Sequence, residues 1–232
     1  MSDVKFGLIE DDLFIFKNYP IVSYKKYLHD FVKQPAVKYC PGLTDYYASL
    51  YIMPMWFDLE IYFDEQDRIL VECNDYHRQR SIGWHAGEWA NTREHFGKQF
   101  WKDILKLSSP WAFKAPKGDA IMIRALDYHY DNHFVPISGI QYDVEPVITS
   151  PILIRQDLGN FRISAGDPLL ILEIVDPSKK ISVVKDDKEL MEHTKYFMDM
   201  RKSTIPKAEN SPRLDDQSSQ GMTQLYNKLK GK

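Results

Sequence analysis

Residues 57–63, FDLEIYF, alternate apolar and polar side chains, and the DEQD that follows is a turn leading into RILVEC at 68–73. A period of two places Leu59, Ile61 and Phe63 on one face of an extended chain, so these two runs predict a β-hairpin with one face in a core. The same grammar resumes after Pro110: WAFKA, a PKGD turn, AIMIRAL at 120–126, HFVPISGI, SPILIRQ, an LGN turn, FRIS, an AGDP turn and LLILEIV at 169–175. Short apolar runs punctuated by turns in this way predict a mainly β fold, a β-sandwich or barrel of jelly-roll or β-clip kind, with a few short peripheral helices. The 13% aromatic content, 14 Tyr among it, suits strands more than helices.

Helical patterning is confined to the margins. TDYYASLY at 44–51 opens on a threonine that can cap a short helix, and GEWANTREHFGKQF at 87–100 has room for a turn or two around Trp89. In KDDKELMEHTKYFMDMRK at 185–202, Asp186 or Asp187 can cap a helix, and Leu190, Met191, Tyr196 or Phe197, and Met200 form its apolar stripe. From Ser203 the chain is too polar to bury a core. The expected organisation is one β-rich domain over 1–183, a helix over 184–202 and a polar tail over 203–232. Near the end of that tail, Met222, Leu225, Tyr226 and Leu229 stand at i, i+3, i+4 and i+7, one apolar face of two helical turns. So short a helix does not hold in water unaided, which makes these four residues candidates for docking on a partner.

Thirty basic against thirty-three acidic side chains leave no positive surplus for a phosphate backbone, so nucleic acid is not an expected partner. The two cysteines, Cys40 and Cys73, have neither zinc-ligand nor disulfide-framework spacing, which fits synthesis in a reducing cytosol. The start, MSDVKFGLIEDDLFIF, lacks the plan of a signal peptide, and no stretch approaches the ~18 uncharged apolar residues of a membrane span. Neither secretion nor membrane insertion is expected.

The octet DYHYDNHF at 127–134 carries the boldest chemical motif, since His129-Tyr130-Asp131 spells the His-x-Asp of a non-haem iron site. An iron(II)/2-oxoglutarate oxygenase would complete that triad with a distal histidine and an anchoring cation, and His193 and Arg201 have the spacing. In such a fold, however, the distal ligand stands on a late core strand, and His193 falls in the polar helical segment after LLILEIV. The favoured expectation is a strand end whose His and Asp bond locally or face solvent, with no cofactor. Pairing His129 with His133 would need a helix where Tyr130-Asp131-Asn132 favours a turn. No GxSxG, P-loop or dinucleotide fingerprint occurs. Asp58, Glu60 and Asp64 resemble paired carboxylates, but alternate positions of one strand share one solvated face. GWHAGEW at 83–89 offers Trp84, His85 and Trp89 as an aromatic ligand platform, against the plainer role of closing one end of a core.

The segments YCPGLTDYYASLYIMPMWFDLEI, SPWAFKAPKGDAIMI, VPISGIQYDVEPVITSPILI and FRISAGDPLLILEIV, together spanning 38–176, resemble in order an uncharacterised protein family of tailed phages of marine bacteria and of some bacteria. That resemblance implies a phage-like origin and a mainly β fold, and it implies no site. The same stretch is distantly similar to dUTPase, through a hairpin around Gly139-Ile140. Here Gly139-Ile140 is followed by Gln141, Asp143 is out of register by one with that enzyme's Gly-Val-Ile-Asp, Leu170 to Glu173 offers no matching Arg or Gln, and the C-terminal glycine-rich motif is missing, so the resemblance implies a shared hairpin without the general base or the phosphate contacts.

Taken together, these features give the expectation of a non-enzymatic structural or interaction protein, phage-encoded, self-assembling or virion-associated, residing in host cytoplasm or virion. Its partners would be copies of itself or other virion proteins. The alternatives are an iron(II)/2-oxoglutarate oxygenase using His129 and Asp131 and a dUTPase-like nucleotide-binding protein.

Overall fold

The elements follow the alternation closely. In the structure, a computed structural model, residues 4–9, 13–30, 41–64, 69–85, 92–116, 119–127, 133–142, 146–175, 181–185 and 187–204 are described. The chain opens with β1 (Val4–Leu8), α1 (Leu13–Asn18), β2 (Val22–Ser23), α2 (Tyr24–Asp30), α3 (Pro41–Tyr47) and β3 (Tyr51–Pro54). It continues through β4 (Leu59–Phe63), β5 (Ile69–Glu72), α4 (Asp75–Ser81), β6 (Ile82–His85), α5 (Thr92–His95) and β7 (Ile104–Lys114). Next come β8 (Ala120–Arg124), β9 (Phe134–Pro136), β10 (Gly139–Tyr142), β11 (Val147–Ile154), β12 (Phe161–Ile163), β13 (Pro168–Ile174), β14 (Ile181–Val183) and α6 (Lys188–Thr204).

Among the described residues the strands form three sheets, and the fold is mainly β. The first has the order β14-β1-β7-β11-β9, with β6 also on β7; the second is β10-β8-β13-β3-β2; the third is β12-β4-β5. The predicted hairpin is present, β4 antiparallel to β5 with Ile61 opposite Val71. All three sheets contribute to one core, in which Phe6, Leu105, Leu107, Trp111 and Ile152 from the first meet Ile121, Leu170 and Leu172 from the second and Leu59 and Ile61 from the third. Burying aliphatic and aromatic side chains from both large sheets between them is the packing logic of a sandwich. Gln141 on β10 ties the two large sheets at one open side, its amide Nε2 donating to the Val147 carbonyl at 2.6 Å where β11 shifts register. Among the described residues no helix is long and apolar enough to cross a membrane.

Several expectations are corrected. The short helix expected over 44–51 lies earlier, from Pro41 to Tyr47, and Tyr51 already belongs to β3. Proline suits the first helical position, where no backbone donor is needed, so Pro41 rather than Thr44 opens the helix. Beyond the LLILEIV run the β-rich part gains one more strand, β14, which adds in parallel to β1. The helix expected over 184–202 occupies Lys188–Thr204, and Asp187 is its cap, accepting from the Leu190 N–H at 3.0 Å. Its packed face is Leu190 and Thr194, while Tyr196 of the predicted stripe is 62% exposed. Leu190 settles over Gly7, where an added Cβ would lie 2.6 Å from the leucine Cδ2. The missing side chain at Gly7 is what lets α6 lie close on the first sheet.

Candidate functional site

The densest polar cluster lies on the outer face of the second sheet. Antiparallel register aligns Ile171 with Arg124 and Glu173 with Met122, so residues of this parity point away from the main core. Arg124 Nη1 donates to Glu173 Oε2 at 2.8 Å and to the Tyr46 hydroxyl at 3.2 Å, and Nη2 lies 3.3 Å from Asp127 Oδ2. The Glu173 carboxylate, first among these partners, holds the guanidinium further into its charged form, against a smaller opposing effect of burial. Asp127 is fixed from the other side, since Tyr47 donates its hydroxyl to Asp127 Oδ2 at 2.9 Å and Tyr24 donates to the Asp127 carbonyl at 2.9 Å. Tyr24 and Tyr47 stack with centroids 4.2 Å apart and planes 13° apart. These rings belong to a second apolar cluster with Tyr27, Leu50, Ile52 and Ile171, where α2 and α3 cover the sheet. Helix packing thus positions the tyrosines, and sheet register positions the ions.

Chemically the guanidinium is committed within the chain: one cation faces two carboxylates, Glu173 and Asp127, which leaves a net negative charge on the cluster. Asp127 is also the first residue of the octet that carries the iron-type motif. His129 and Asp131 lie outside the described residues, as do Trp89 and Met222, Leu225, Tyr226 and Leu229. His193 sits on α6, against the outer face of the first sheet, while Asp127 lies on the outer face of the second, with the shared core between them. Among the described residues no group of three His, Cys, Asp or Glu side chains is placed to hold a metal ion.

Trp84 and His85 are both half-buried on β6, opposite Leu105 and Ile104 of β7. Trp84 packs on the main core beside Ile82, so strand alternation turns His85 to the other face of the sheet. The carboxylates at the start of β4, Asp58 just before the strand and Glu60 within it, are engaged by Arg162 of β12, which lies 2.9 Å from Asp58 Oδ2 and 3.6 Å from Glu60 Oε1. The Asp58 carboxyl is held below its ordinary range first by the Ala165 N–H and then by Arg162. Sequence reasoning missed the Arg124 cluster, because its members come from α2, α3, β8, β13 and the loop after β8, joined only by sheet register. No family profile, curated protein or solved structure matches this chain.

Proposed function

We propose that this protein is a non-enzymatic structural or interaction protein, phage-encoded, that self-assembles or associates with a virion. The observation that carries the reading is the commitment of its best polar cluster to internal pairing: Arg124 is matched by Glu173 and Asp127 of its own chain. A catalytic or anion-binding arginine would keep its donors for a ligand, whereas this one braces helix α3 against the sheet. The outer face beside it supports an interface role, because Tyr46, Ile140, Tyr142 and Val175 are all more than 40% exposed. Tyrosine, arginine and exposed aliphatic surface is the composition of interface cores. The phage origin rests on the ordered sequence resemblance over 38–176. The test is the mass of the purified full chain by light scattering over a wide concentration range. Self-assembly gives a mass that rises above the 27.2 kDa of one chain, and a constant 27.2 kDa with no partner recovered from assembled particles would overturn the reading.

A further inference from the structure

We draw no further inference here: the strongest candidate, the fully buried side chains of Trp111 and Ser150 on the core face of the first sheet, whose indole nitrogen and hydroxyl find no hydrogen-bond partner among the described residues, carries nothing because register sets Ser150 opposite Leu107 rather than Trp111 and nothing in the structure shows what the two groups would hold.

Discussion

Arg124 illustrates how a single side chain can hold parts of the fold that share no local sequence. Its partners Tyr46, Asp127 and Glu173 come from α3, the loop after β8, and β13, and the Arg124 and Glu173 side chains are 21% and 27% exposed. At that depth the ions keep enough water to be tolerable and lose enough for their hydrogen bonds to count. Replacing Arg124 by Met leaves two neighbouring carboxylates without their cation, and should cost about 1–2 kcal/mol in urea unfolding. Adding Glu173→Met to that variant removes one of the stranded charges and should recover much of the loss. A double variant as unstable as the sum of the two singles would show that the pair is not coupled. Nothing in the sequence marked this cluster. Tyr47 and Asp127 are 80 positions apart, and a hydrogen bond over that separation exists only once register is set. The carboxylates at the start of β4 were legible, by contrast, because Asp58 and Glu60 stand two apart in sequence, and Arg162 of β12 engages both.

At the scale of elements, alternation and turns were legible and the exceptions have local causes. Strand β7 begins at Ile104, well before the Pro110 that reads as a breaker. On one edge of β7, β6 pairs with residues up to Leu107 and β1 with residues from Trp111, so Pro110 falls in the gap between the two partners. On the other edge, β11 shifts register over the same stretch. There Ser109 stands in for the ladder, its Oγ accepting from the Trp111 N–H at 3.1 Å and donating to the Trp111 carbonyl at 3.0 Å. Proline is tolerated in sheets at such bulges. Strands β1 and β14 were not legible, because each is short and gains its burial from distant or parallel partners.

Helix α6 is fastened by its first turn, and that gives a pH-dependent prediction. Asp187 caps the helix and pairs with Lys5 at 2.7 Å, while Glu189 pairs with Lys114. The hydrogen bond from Lys5, ahead of that from the Leu190 N–H, holds the Asp187 carboxyl below its ordinary range. A depressed folded pKa contributes stability that is complete above the ordinary carboxylate value and is lost as pH falls through the folded one. Lys5 is raised, first by the same hydrogen bond, so its share is complete below the ordinary lysine value and lost as pH rises through the folded one. Asp187→Ala should therefore cost about 1 kcal/mol from the lost cap, level from roughly pH 5 to 9 and shrinking below about pH 4. Asp187→Asn, which keeps a capping oxygen, should lose the acid dependence with a smaller change at neutral pH. Urea unfolding at several pH values measures both, and an unchanged difference at pH 3 would contradict the assignment.

For the whole molecule, the decisive feature is that no sheet owns its core. Trp111 of the first sheet, Leu170 and Leu172 of the second and Leu59 and Ile61 of the third lie in one contiguous apolar cluster, and Trp56 and Trp101 sit in it on the connections between strands. Removing any one sheet would expose apolar surface of the other two, so partial unfolding gains little chain entropy for the burial it forfeits. The three elements should therefore unfold together. The expected outcome is that urea transitions followed by tryptophan fluorescence, which reports the shared core, coincide with those followed by far-UV circular dichroism, which reports the strands. Gln141→Ala sharpens the test. It deletes the amide that spans the open side between β10 and β11, leaves the Val147 carbonyl without that donor, and should lower the common midpoint by about 1–2 kcal/mol in stability. If the sheets form one cooperative unit, the two signals shift together in this variant. Should the dichroism transition instead split from the fluorescence transition when that single clamp is removed, the sheets would be separable units held together at their margin, and the shared cluster would not be what unites them.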